Sequence, residues 1–161
     1  ITVFVLTACL IVSTLSNYPN FIAYLNELTP RDERYTKLVD SSLDWGQDLL
    51  RLRDYVVKNN IKNLKIDYFG GSKSKYYFPD SEEWHSRYEP QPGWFAISAT
   101  LYQYSKYFGA LTGKWSYHWL DEYKPEAIIG GSILVFHVTD EDFKKHPPQS
   151  PYPIIKIKQK R

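Results

Sequence analysis

The chain has 161 residues, enough for one domain with a buried core and too few for two. With 43% hydrophobic and 24% charged residues and a formal net charge of +2, it is excluded from the disordered acidic or polybasic tails and offers no electrostatic case for nucleic acid as a partner. One cysteine, Cys9, excludes an internal disulfide framework and any cysteine-based zinc site, while the 17% aromatic content suits cores, sugar-stacking surfaces and membrane interfaces alike.

Residues 1–15, ITVFVLTACLIVSTL, carry no charge, although the mean hydropathy of the whole chain is −0.46. The sequence contains no methionine, so we expect a fragment or a processed product. A full span needs about 20 apolar residues, and residues 1–16 are therefore expected to be the tail of a transmembrane helix. The competing readings are the remnant of a signal peptide and a buried helix of a soluble domain. Residues 17–34 form an interfacial connector: no Lys or Arg stands before Arg31, while Tyr18, Phe21 and Tyr24 suit the headgroup level. The missing basic flank places the following domain on the exoplasmic side.

Residues 35–145 read as an α/β domain. A short strand is expected at 35–39, then a helix over 43–58 with Trp45, Leu49, Leu52 and Val56 on one face. Residues 64–69, LKIDYF, alternate as a half-buried strand and turn at Gly70-Gly71. A strand at 94–98 leads into a helix through 107, and a second short helix over 115–123 stops at Lys124-Pro125. Strands at 126–129 and 132–138 flank Gly130-Gly131 as a hairpin. The sum is a mixed sheet with flanking helices, preceded by the tail of a transmembrane helix. Residues 146–161 form a Pro-rich and basic C-terminal tail, ending IIKIKQKR, read as a solvated end or a contact with anionic headgroups.

Chemistry concentrates in LVDSSLDWGQDL, residues 38–49. Asp40 or a neighbouring serine can cap the free amides of a first helical turn, and early carboxylates oppose the positive helix end. Asp40, Asp44 and Asp48 are spaced by four, however, so on one helix they would share a face and repel. In a loop following a strand they stand where α/β domains bind ligands, able to accept bonds from sugar hydroxyls or to hold a divalent cation. Asp40, Asp44, Trp45, Gln47 and Asp48 are thus candidate substrate-binding residues, joined by Trp94 after the Pro92-Gly93 turn, whose alternative is core packing. The loop GGSKSK at 70–75 lacks phosphate-loop spacing. His85, His118, His137 and His146 show no metal-ligand spacing, so no metal site and no catalytic constellation is predicted, and the cofactor is unspecified.

The segments YPNFIAYLNEL (18–28), LVDSSLDWGQDL (38–49), YFG (68–70) and PGWFAISAT (92–100) together resemble the C-terminal region of polyprenyl-phosphate-sugar-dependent membrane glycosyltransferases, the protein-mannosyltransferase and aminoarabinose-transferase-like group of the GT-C class. The resemblance extends to about Val138 and departs from the family pattern at Leu25, where Phe is expected, and at Ser42, where Asn is expected. It implies an integral membrane enzyme that passes a sugar from a lipid-phosphate carrier to a protein, glycan or lipid acceptor on the exoplasmic side. It also implies that the catalytic acid lies in an upstream loop, with none in these residues. The alternatives are a membrane-anchored carbohydrate-binding module and a structural docking domain without catalysis.

Overall fold

The computed structural model describes residues 1–148, and the basic segment of the expected C-terminal tail lies outside the described residues. Helix α1, Thr2–Asn17, is apolar on every side and exposed along nearly its whole length, from Val3 and Phe4 to Leu15. Its sixteen residues extend about 24 Å at ~1.5 Å per residue. Among the described residues no helix is long and apolar enough to cross a membrane. The connector after α1 folds back on it: Arg34 donates to Asn17 Oδ1 at 3.0 Å and Arg31 donates to the Ser16 carbonyl.

The domain is a five-stranded mixed sheet flanked by helices, as the sequence pattern predicts. Its strands are β1 (Lys65–Asp67), β2 (Glu82–Glu83), β3 (Gly93–Ser98), β4 (Ala127–Ile129) and β5 (Ile133–Val138), in the spatial order β2-β1-β3-β5-β4. β1 is parallel to both β2 and β3, whereas β5 is antiparallel to β3 and β4. Side chains alternate between the two faces with the period of a strand. Phe95 and Ile97, opposite Phe136 and Leu134, join Trp84, Tyr102, Tyr117 and Trp119 in an aromatic core on one side. Ala96, opposite Val135, joins Ile66, Ile133, Leu49, Leu52 and Phe78 on the other. Much of the unusual aromatic content is therefore core.

Helices α2 (Leu49–Lys58) and α3 (Ser74–Tyr77) bear on the aliphatic side. Helix α4 (Ala99–Thr112), a 3-10 helix at Tyr117–Glu122 and α5 (Asp140–Lys145) bear on the aromatic side. α5 starts on Thr139, whose hydroxyl caps it by accepting from the Asp142 amide at 3.0 Å and is itself held by donating to the Asp142 carboxylate at 2.6 Å.

Three expected elements are corrected. The strand expected at 35–39 is absent: a 3-10 helix occupies Arg31–Thr36, following the extended Pro30 and carrying Asp32 and Glu33 in its first turn, where carboxylates are favoured. The helix expected over 43–58 begins only at Leu49, because Gly46 takes a φ of +75° that no right-handed helix contains. The helix expected over 115–123 is the tighter 3-10 turn at Tyr117–Glu122.

Candidate functional site

The segment that drew attention in the sequence folds as a strap across the C-terminal ends of β1 and β3. It opens with a 3-10 turn at Asp40–Ser42, in which Asp40 adopts a φ of +62° and its amide donates to Thr100 Oγ1 at 3.1 Å. A non-glycine residue in that region is strained, though Asp tolerates it better than most. Leu43 is fully buried and packs with Ala23 and Ala99, pinning the strap between the connector and the start of α4.

Beyond Leu43 the side chains hold the backbone. Asp44 Oδ1 accepts from the Gly46 amide at 2.9 Å, Gln47 Oε1 accepts from the Trp45 amide at 2.7 Å, and Gln47 Nε2 donates to the Leu43 carbonyl at 3.2 Å. Such side-chain turns compete with the helical ladder and explain why α2 starts late. Tyr68, one residue past β1, donates through its hydroxyl to the Gly46 carbonyl at 2.8 Å. A Cβ on Gly46 would stand 2.2 Å from that hydroxyl oxygen, so glycine is required by both conformation and space.

Asp44 has no solvent exposure, and its Oδ2 has no hydrogen-bond partner among the described residues. Burial is the main cause that pushes its carboxyl up to about 6. The neighbouring charge of Asp48 adds to this, while the Gly46 amide and the Ser98 hydroxyl oppose it. Since the folded value lies above the unfolded one near 3.8, the stability Asp44 contributes is full below pH 4 and is lost as pH rises through 6. A rise from 3.8 to about 6 makes the swing about 3 kcal/mol. Asp44→Asn is therefore expected to flatten the profile between pH 4 and 7 and to exceed the native chain in stability at pH 7.5. Urea midpoints at pH 4.5, 6 and 7.5 test it, and parallel profiles for the two proteins would refute the assignment.

Asp48 occupies the N-cap position of α2, yet makes no side-chain cap bond. Its buried carboxylate turns instead to Ser132 Oγ, which donates at 2.8 Å, and to Arg51, which bridges at 2.6 Å and also donates to Asn20 Oδ1. Gly130 is its wall: a Cβ there would sit 1.9 Å from the Asp48 carboxyl carbon, on a backbone with φ of +61°. Neither Asp40 nor Asp48 uses its side chain as a helix cap, so capping is not what these acids do.

Of the candidate residues, the structure brings five together in the strap and sorts them by exposure. Asp44 and Asp48 are interior struts, whereas Asp40, Trp45 and Gln47 face outward, Trp45 with 64% of its surface exposed. Trp94 lies apart, near the opposite end of β3, stacked on His137 of β5 at 4.0 Å and 3° between planes. Among the described residues no group of three His, Cys, Asp or Glu side chains could hold a metal ion.

A second polar cluster had no signal in the sequence, because its members are far apart there. Asp67, at the end of β1, accepts from the buried Tyr117 hydroxyl at 2.6 Å, with His85 Nδ1 at 3.8 Å from its other oxygen. Burial raises the Asp67 carboxyl and, together with Asp67, raises the Tyr117 hydroxyl well above its ordinary range. The cluster opens into a cavity of about 390 Å3 bordered by the 70–75 loop and Glu83. No family model, no curated protein and no solved structure matches this chain.

Proposed function

We propose that this chain is the last membrane segment and the exoplasmic domain of an integral membrane glycosyltransferase. The enzyme breaks the bond between a sugar's anomeric carbon and a polyprenyl-phosphate carrier and forms a new one to an acceptor hydroxyl. The observation that carries the reading is the position of the strap. It is wedged between the connector leaving the exposed apolar helix α1 and the C-terminal ends of β1 and β3, by way of the Ala23, Leu43 and Ala99 contact and the Arg51 bond to Asn20. An apolar helix with no polar face needs an apolar surrounding, and with α1 in a bilayer the connector ties the strap to the domain's membrane side through Ala23 and Asn20. Its buried acids and the Gln47 amide fix its shape, and its exposed Asp40 and Trp45 supply a carboxylate that can accept from hydroxyls and an aromatic platform of the kind sugars use.

In this reading the catalytic carboxylate belongs to an upstream loop and the domain roofs the substrate cavity. The exposed Trp45 also favours a second reading, a membrane-anchored carbohydrate-binding module without catalysis. Membranes containing the intact protein, given a radiolabelled polyprenyl-phosphate sugar, separate the two: release of polyprenyl phosphate with label appearing in acceptor is expected. Sugar-dependent binding with no turnover would instead establish the binding module. A cysteine at Lys73, in a Cys9→Ser background, is expected to react with an impermeant reagent in intact cells. Labelling only after permeabilisation would place the domain on the other side.

A further inference from the structure

Arg34 is a residue only 6% exposed, and among the described residues no carboxylate forms a salt bridge with it, the Glu27 carboxylate acting on it only through space. Its hydrogen-bond acceptors are neutral: Asn17 Oδ1 at 3.0 Å and the carbonyls of Ala23 and Asn26, each at 3.4 Å. Its Nε has no hydrogen-bond partner among the described residues. The ring of Tyr24 lies 5.2 Å from it, a weak substitute for a counter-ion. Burying a cation without an opposing charge is costly, and proteins that keep one commonly use it to meet a ligand.

The residue lines a cavity of about 190 Å3, room for about six waters at ~30 Å3 each. Arg31 stands at the same cavity, as do Asn17, Asn20 and the Gly130-Gly131 turn. Among the described residues the one acidic side chain lining it is Asp32, exposed, so the two arginines leave an excess of one positive charge. Burial, and after it the like charge of Arg31, lower the Arg34 guanidinium from its ordinary value, with Tyr24 and Glu27 opposing. A guanidinium fork matches the paired oxygens of a phosphate group.

The location selects the source of that phosphate. Asn17 is the last residue of the apolar helix α1, and Tyr18, Phe21 and Ile22 are exposed around the exit. Aromatic side chains following an apolar helix mark the headgroup level of a bilayer, where the abundant anion is a phosphate ester. We infer that the Arg34 and Arg31 cavity at the end of α1 binds the phosphate group of a membrane lipid. This deepens the proposed function by giving the lipid-phosphate carrier a contact on this domain. It rests on the membrane placement of α1 and not on sugar transfer, so a binding assay separates it from the transfer assay above.

The test is isothermal titration of the full chain in uncharged detergent micelles with farnesyl phosphate, farnesol and inorganic phosphate. Farnesyl phosphate is expected to bind at least tenfold more tightly than either of the others. Arg34→Gln, checked for folding by circular dichroism, is expected to lose that preference while its weak affinity for farnesol stays unchanged. Arg31→Gln, at the exposed rim, is expected to weaken farnesyl phosphate about threefold and decides the matter if Arg34→Gln does not fold. Equal affinity for farnesol and farnesyl phosphate, or native affinity in both variants, would overturn the site. Equal affinity for inorganic phosphate would overturn its assignment to a lipid.

Discussion

Asp48→Ala is expected to lower the melting temperature by about 5–10 °C. The carboxylate joins three pieces of chain distant in sequence: the start of α2, Ser132 beside the β4–β5 turn, and, through Arg51, the connector at Asn20. Removing one partner of a fully buried pair costs about 3–5 kcal/mol. Arg51 is 41% exposed and can return to water, so a loss of about 2–3 kcal/mol is the better expectation, and a domain of this size moves ~2–4 °C per kcal/mol. Gly130→Ala attacks the same contact from the other side and should cost a similar amount, since its Cβ and the Asp48 carboxyl cannot both fit. Calorimetry on both variants, with Ser132→Ala in a double-mutant cycle, gives the answer. An Asp48→Ala protein melting within 2 °C of the native chain would remove the strut from this account.

Trp45→Ala should do the opposite, cutting the kcat/KM of transfer in the intact enzyme about tenfold while the melting temperature moves by no more than about 1–2 °C. An indole with most of its surface exposed contributes little packing to lose. An aromatic platform of about 1.4 kcal/mol in the transition state is worth tenfold in rate. Trp45→Phe should recover most of the activity, because a ring remains. Native kinetics in Trp45→Ala, or activity falling only in step with stability, would return Trp45 to the ordinary surface.

The contrast between these variants also shows where sequence reasoning worked. Alternation in LKIDYF located β1, because period-two patterning follows from burial on one face more than the other. The strands expected at 94–98 and 132–138 were legible as apolar runs next to Pro-Gly and Gly-Gly turns, and they are the centrally placed β3 and β5, buried along most of their length on both faces. The spacing Trp45, Leu49, Leu52, Val56 misled at its first member: Leu49 and Leu52 are core, but Trp45 belongs to the strap and faces out. Strand β2, two exposed glutamates, carries no pattern and exists because β1 offers it a partner. Helix α5 was legible and missed, since an N-cap threonine followed by three acids in the first turn and two lysines in the last is a helix signature. For the strap, the residue types were visible in sequence, but their division into struts and displayed groups was not. That division depends on Ser132, Tyr68 and Ser98, supplied by other parts of the fold. Arg34 gave no sign at all, because a buried arginine and a solvated one read identically in sequence.

The bond between Asp48 and Ser132 spans 84 residues, and this has a consequence during synthesis. A ribosome adding ~5–20 residues per second needs roughly 4–17 s to travel from one to the other. Throughout that interval the strap has no hairpin to close on, and Leu49 and Leu52, which in the finished domain are buried with Ile133 and Val135, lack that cover and stay accessible to water or to a chaperone. The acids that later lie in the interior are charged and hydrated during the same seconds, which keeps this apolar stretch dispersed until the last strands arrive to cover it.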